Sequence, residues 1–404
     1  MTTHKWQFAA RFRRHTFGWR SDTPVQRIKE AIAEIKQVAR KEPVLAGEGA
    51  ITLLEKLSPA LEHVDSSSGT LGSAVNKAIA TLVPIIAKAN VGPQLRQLWL
   101  ERLWQALQDD AMPYLELLGD YWGELCVTPE LASHWADEFM PALESVWSPA
   151  APGHGFFKGT SACLASLYAA DRHQELLTLI DKAPFKWWHD RRWGVQALAA
   201  MGRRAEAIRY AEESRGLNDP GWQIAQACEA ILLSSGLADE AYRRYALEAN
   251  QGTTHLATFR ALARKYPHKP HAEILRDLVA STPGAEGKWF AAAKDAGLFD
   301  MAIELATRSP TDPRTLTRAA RDFAEKQPEF ALAAGLAALR WLSLGYGYEI
   351  TGSDVLDAYA ALRQAAAGAG VTTQRVNEQV REMIAGAQPG SEFLRAILAR
   401  HLSS

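Results

Sequence analysis

The chain has few cysteines, no long hydrophobic run and almost no net charge. Its 404 residues include only three widely spaced cysteines, Cys126, Cys163 and Cys228, which excludes a disulfide framework and a paired-cysteine metal or redox site. This usage predicts a reducing, cytoplasmic location. The longest apolar run, residues 330–339, falls short of the roughly 20 residues that a membrane span needs, so we expect no transmembrane segment.

The overall charge excludes a protein that covers nucleic acid with its whole surface. The chain has 45 basic and 46 acidic residues and a formal net charge of -1. Its 47% hydrophobic and 23% charged residues also exclude a disordered or collagen-like chain. A charged partner is therefore expected to bind to a limited part of the surface and not to the whole of it.

Helical periodicity runs through almost the whole sequence, and the alternating β-branched runs typical of strands are nearly absent. The first helix is predicted to begin with Thr23 as N-cap and Pro24 as its first residue. Its apolar stripe consists of Val25, Ile28, Ile32, Ile35 and Ala39. Similar segments separated by Pro, Gly or Ser predict about twenty helices with short links, and hence an all-α fold.

Composition divides the chain into four regions. Residues 1–22 form a basic, aromatic N-terminal arm, and residues 23–147 form an N-terminal helical block. Residues 148–155, with the sequence SPAAPGHG, are predicted to be a linker because small and helix-breaking residues concentrate there. Residues 156–404 are predicted to form a second, longer block of helical hairpins.

A local pattern recurs in the second block: a glycine is followed five residues later by an alanine. It occurs at Gly202, Gly236 and Gly297. A glycine can adopt the left-handed conformation that ends one helix, and a small alanine lets the next helix pack closely in an antiparallel pair.

The 34-residue spacing between Gly202 and Gly236 resembles that of tetratricopeptide repeats, whose second helix opens with the same glycine-to-alanine spacing. The resemblance implies an α-solenoid of stacked helical hairpins, preceded here by the N-terminal helical block. The whole chain also resembles a group of uncharacterised bacterial all-helical proteins, a resemblance that implies no activity.

The arm combines aromatic and basic side chains. Between residues 1 and 21 there are five positive charges and no acid, so the rest of the chain carries -6. Such a segment can bind phosphates or carboxylates and stack on rings. The alternative is that its aromatic side chains cap the first helical block. The candidate partner-binding residues of the arm are Arg11, Arg13, Arg14, Trp19 and Arg20.

Two further segments are candidates for binding. Residues 187–193, WWHDRRW, supply Trp188, Arg191 and Arg192 as a surface for an anion or a peptide carboxylate, unless the tryptophans fill the core between helices. A weaker candidate is a hydroxyl-rich loop before a helix, where backbone N–H groups could hold an anion or serve only as an ordinary N-cap. The loop consists of Ser66, Ser67, Ser68, Gly69 and Thr70.

The chain lacks the nucleotide-loop, nucleophile-elbow and zinc-protease motifs, and we expect no metal and no cofactor. The favoured hypothesis is a non-enzymatic scaffold that binds a peptide or protein through a helical-repeat groove and the arm. One alternative is a helical-repeat nucleic-acid-binding protein or a DNA-glycosylase-like enzyme. Another is an enzyme that binds a phosphorylated small molecule at the loop from Ser66 to Thr70. The oligomeric state and the identity of the partner stay open.

Overall fold

The computed structural model describes residues 4–148, 156–216 and 220–402, and in these ranges helices joined by turns and loops are the only regular secondary structure, with no β-strand. The prediction of an all-α fold is confirmed. The chain divides into two compact units, Met1–Ile231 and Leu232–Ser404. The predicted linker, 148–155, lies outside the described residues except for Ser148. The helices on either side of it belong to the first unit, and the expected boundary there stays a prediction.

The first unit begins with a 3-10 turn, Phe8–Ala10, and continues with helices joined by short links. These helices are α1 (Asp22–Ala39), α2 (Pro43–Leu61), α3 (Thr70–Lys88), α4 (Pro93–Gln108), α5 (Leu117–Asp120), α6 (Trp122–Cys126), α7 (Pro129–Val146), α8 (Thr160–Ala169), α9 (His173–Ile180), α10 (Trp188–Ala200), α11 (Arg204–Glu212) and α12 (Gly221–Ser234), which ends just past the division.

The second unit is also built of helices, with a π-helical turn, Tyr242–Ala246, between its first two and a 3-10 turn, Glu286–Trp289, before α17. Its helices are α13 (Ala238–Ala241), α14 (Leu247–Ala249), α15 (His255–Lys265), α16 (His271–Ala280), α17 (Phe290–Asp295), α18 (Phe299–Arg308), α19 (Pro313–Phe323), α20 (Pro328–Ser343), α21 (Gly352–Gly368), α22 (Thr373–Ala385) and α23 (Ser391–Leu402).

The start of α1 differs from the prediction. The helix begins at Asp22 with Ser21 at the N-cap, and no side chain caps it, so the assignment of Thr23 as N-cap was wrong. Pro24 lies inside the first turn and is buried on the side of α1 that packs against α2 and α3. Ile28 and Ile35 of that stripe are completely enclosed, as the helical spacing predicts.

Helix α2 lies at the centre of the first block, where two of its glycines allow indole rings to approach the backbone. Gly47 faces the ring of Trp99 from α4, and Gly49 faces the ring of Trp6 from the arm. Between them, Glu48 accepts a hydrogen bond from the Trp99 indole nitrogen at 2.7 Å. Small residues on this face of α2 therefore determine where both rings pack.

The three glycines of the recurring pattern end helices as the sequence predicts. Gly202, Gly236 and Gly297 follow α10, α12 and α17 with φ angles of 77°, 74° and 73°. In each case the N–H of the following residue donates to a carbonyl five residues earlier, at 2.9 to 3.0 Å. This is the Schellman arrangement, which satisfies carbonyls left unpaired at a helix end.

The same turn occurs at three positions that the pattern does not mark. Asp171, Gly345 and Gly370 follow α8, α20 and α21 with φ angles of 57°, 82° and 69°. The N–H after each again donates to a carbonyl five residues earlier. Antiparallel helices connected in this way pack directly on each other, as α10 does on α11.

Helix α3 is both a core helix and an apolar one. By length and composition it could cross a membrane, since an 18-residue window in it has a mean hydropathy of 1.4. The core helices of soluble proteins can also have this length and composition, and one face of α3 is buried against α1 and α2. Its C-terminal carbonyls are bound by buried Arg96 of α4, which donates to the carbonyls of Ile86 and Ala89 at 2.7 Å each.

Candidate functional site

The N-terminal arm is docked on the first helical block by its aromatic side chains. Trp6, Phe8 and Phe12 are buried in the same core as the helices α1 to α3. The backbone N–H groups of Gln7 and Phe8 donate to the carboxylate of Glu34 in α1, at 2.8 and 3.1 Å. Phe17 is half-buried against the same core, so of the five aromatic side chains of the arm all but Trp19 pack as a cap on the block, which is the alternative that the sequence left open.

The arginines of the arm are exposed, and two of them pair with acids of the block. Arg11 contacts Glu30 at 2.8 Å, and Arg14 lies 3.6 Å from Glu62. Arg13 and Arg20 form no ion pair with any residue in the described ranges. Their guanidinium groups are therefore available to a partner.

A cavity of about 370 Å³ lies between the arm and α1. Phe8 and Ala31 form part of its lining, together with the ion pair between Arg11 and Glu30. Arg27 of α1 also contacts Glu30, at 2.7 Å. The carboxylates of this cavity are already bound to arginines and backbone N–H groups, so the cavity belongs to the docking of the arm.

Trp19 is the most exposed tryptophan of the chain, with 72% of its surface accessible to solvent. Its backbone is nevertheless held in place, because the N–H of Asp65 donates to the Trp19 carbonyl at 2.8 Å. This bond places the end of the arm beside the loop that contains Ser66 to Thr70. The structure thus brings together two of the three candidate binding segments predicted from the sequence, the arm and the hydroxyl-rich loop.

The hydroxyl-rich loop satisfies much of its own hydrogen bonding. Asp65 accepts from the Ser67 N–H at 3.0 Å, and this bond holds the pKa of the Asp65 carboxyl below its usual value. The Ser68 hydroxyl lies 3.1 Å from the Thr70 hydroxyl, and Gly69 adopts a left-handed φ of 70°. The loop therefore places the Asp65 carboxylate shortly before α3 and uses the Ser67 and Gly69 N–H groups internally, an arrangement that disfavours an anion.

The third candidate segment is largely internal. Trp188 and Arg191 are buried, with 4% exposure each. The Arg191 guanidinium lies 3.6 Å from the centre of the Tyr210 ring and donates to the Ser214 hydroxyl at 2.7 Å. These two side chains face inward because α10 packs against α8, α9 and α11 at once. A partner cannot reach them without displacing these helices.

Arg192 is half-buried and forms an ion pair with Asp120 of α5. The four-residue spacing of Asp120 and Glu124 would place both carboxylates on one face of a continuous helix. They lie instead on two short helices, because α5 ends at Asp120 and Glu124 belongs to α6. The neighbouring carboxyl of Asp190 is buried, and burial raises its pKa above the usual value. Arg192 therefore serves mainly to neutralise acids between α5 and α10.

A serine and a histidine that the sequence did not indicate meet at this place. The hydroxyl of Ser161, in the first turn of α8, lies 2.7 Å from Nε2 of His189. Among the described residues, none accepts a hydrogen bond from the other ring nitrogen of His189, the position where a third group orients the imidazole of a catalytic base. The two residues are 28 apart in sequence, and no local motif marks them.

Two aromatic rings also form an exposed pair outside the arm. Phe185 and Trp187 stack with their ring centres 5.1 Å apart and expose 40% and 60% of their surfaces. Trp187 directly precedes α10, so the exposed ring adjoins the internal part of the segment.

Comparison with known proteins adds no family. No protein-family model matches the chain. No curated protein matches it either.

Proposed function

We propose that the protein is a non-enzymatic scaffold whose arm binds an acidic peptide or protein segment through Arg13, Trp19 and Arg20. The observation that carries this proposal is the exposure of Trp19 on a backbone that is tied to Asp65. We further propose that the helical hairpins form a tetratricopeptide-like repeat array in a cytoplasmic protein. The recurring left-handed turns and the absence of disulfides among the described residues support this part.

An indole and two guanidinium groups are the side chains that contribute most to protein interfaces. Here the backbone that carries them is held by buried aromatic rings on one side and by the Asp65 N–H on the other. A partner therefore orders little of the arm when it binds, which lowers the entropic cost of association. Guanidinium groups bind carboxylates with two parallel hydrogen bonds, so an acidic segment fits this surface.

The test is selection of peptides from a random 12-residue display library on the immobilised full chain, followed by affinity measurement of the selected peptides by fluorescence anisotropy. We expect enrichment of Asp and Glu, and we expect Trp19→Ala to weaken binding about tenfold or more, since a central tryptophan contributes about 2 kcal/mol. Trp222→Ala is the matched control, because Trp222 is 49% exposed and lies outside the arm. Selected peptides without acids, or equal losses for both variants, would refute the proposal.

The nucleic-acid alternative predicts a different result. Phosphate contacts give an affinity that falls steeply with salt. Anisotropy with a labelled duplex and a labelled single strand at increasing salt therefore separates the two hypotheses. The double variant Arg13→Gln/Arg20→Gln is the control. If the wild type binds a nucleic acid tightly, with an affinity that falls steeply with salt, and the double variant does not, the partner is a nucleic acid and not an acidic peptide.

A further inference from the structure

We propose that His15, Glu62 and His63 form a binding site for a divalent transition-metal ion of the zinc class. One ligand atom from each residue lies within 4.8 Å of the other two. Two imidazoles and one carboxylate are a donor set that zinc accepts, with water in the remaining position. The expectation of no metal rested on the lack of a local metal motif, and no such motif marks these residues because His15 and His63 are 48 residues apart in the chain.

The three residues come from two segments that the fold holds against each other. Glu62 is the C-cap residue of α2, and His63 follows it. His15 lies in the arm, and its N–H donates to the Pro59 carbonyl of α2 at 3.4 Å. Its φ of 57° is in the left-handed region, an uncommon conformation for a residue other than glycine and one that concentrates at functional sites.

The side chains must rotate out of their stacked arrangement to close on an ion. The rings of His15 and His63 stack with their centres 4.4 Å apart, and His15 Nδ1 lies 3.9 Å from Glu62 Oε2. Ligands about 2.0–2.2 Å from a tetrahedral zinc ion lie about 3.3 Å from one another, so the donors must approach by an ångström or so. His15 and His63 are exposed and Glu62 is half-buried, which leaves room for this motion.

Arg14 competes with the metal for the same carboxylate. Its guanidinium lies 3.6 Å from Glu62 Oε2, the oxygen nearest to His15. A bound cation must displace this contact and is repelled by the guanidinium charge. Removal of the Arg14 charge is therefore expected to strengthen metal binding, an effect opposite to that of removing a ligand.

The experiment is titration of the full chain with Zn²⁺ by calorimetry and with Co²⁺ by visible absorption. We expect one ion per chain, and at least tenfold weaker binding for both His15→Asn and His63→Ala. Asn tolerates the left-handed backbone at position 15, and circular dichroism confirms that each variant is folded. Arg14→Gln is expected to bind the ion several-fold more tightly than the wild type.

His134→Ala is the control, because His134 is an exposed histidine of α7 outside the cluster and its loss should leave binding unchanged. The proposal is overturned if the wild type binds neither ion. Equal binding by the wild type, His15→Asn and His63→Ala overturns it as well. The readout is the metal affinity alone, so this result is independent of the acidic-peptide proposal.

Discussion

Substitution of Gly49 by Ala should release the arm from the helical block. A Cβ atom at this position would lie 2.6 Å from Cε2 and Cη2 of Trp6, closer than any real contact. An alanine inside a helix normally stabilises it by up to about 1 kcal/mol relative to glycine. Overpacking of a core costs about 1–3 kcal/mol. We therefore expect a net loss of about 1 kcal/mol in the free energy of unfolding.

The control substitution is Gly72→Ala in α3. No atom lies within 4 Å of a Cβ built at Gly72, so this change should be neutral or stabilise the chain by up to about 1 kcal/mol. In a Trp6→Ala background the clash is absent, and Gly49→Ala should then be stabilising too. The coupling between positions 6 and 49 in this double-mutant cycle should be about 1–3 kcal/mol.

Urea unfolding followed by circular dichroism gives the four free energies. Trypsin gives an independent readout, because an undocked arm should be cleaved faster after its exposed arginines than the docked arm. The reasoning is refuted if Gly49→Ala stabilises the wild type as much as it stabilises the Trp6→Ala variant. That result would show that Trp6 does not pack on α2.

Three further predictions concern buried and paired groups. A thiol reagent should label none of the three cysteines in the native protein, since all are buried and burial raises the pKa of Cys126 to about 12; fast native labelling would contradict this. Arg96→Leu should lower the free energy of unfolding by about 3 kcal/mol, because the C-terminal carbonyls of α3 lose their donors; an unchanged urea midpoint would contradict it. The hydrogen bonds from Arg314 and Thr351 lower the pKa of Asp354, so its contribution to stability is complete above the unfolded pKa near 3.8 and is lost as the pH falls through the folded pKa. Asp354→Asn should therefore reduce thermal stability at pH 7 and change it less at pH 3; equal effects at both pH values would refute this linkage.

The helix ends were the most predictable part of the fold, because their cause is local. A glycine at Gly202, Gly236 or Gly297 adopts a left-handed φ that most residues avoid, and this preference is visible in the sequence. Asp171 makes the same turn with a φ of 57° and was missed. Aspartate tolerates this conformation less often than glycine does, so its presence alone does not indicate a helix end.

The contacts between distant segments could not be predicted. The hydrogen bond from the Asp65 N–H to the Trp19 carbonyl and the contact between Ser161 and His189 depend on how helices pack. The burial of the segment 187–193 could not be predicted for the same reason. Its spacing places Trp188 and Arg192 on one face of α10, but whether that face is exposed depends on three neighbouring helices that the spacing does not reveal.

The burial of the tryptophans gives the strongest argument for a specific role of Trp19. Nine of the thirteen are buried, among them Trp99 and Trp122, where each ring fills core volume. Only Trp19, Trp187 and Trp222 are largely exposed, and Trp187 stacks on Phe185. Trp19 has no ring partner among the described residues, yet its backbone is hydrogen-bonded to the next segment. An indole that is left in water on an anchored backbone contributes nothing to the core, and for this reason we propose Trp19 as the centre of the partner-binding surface.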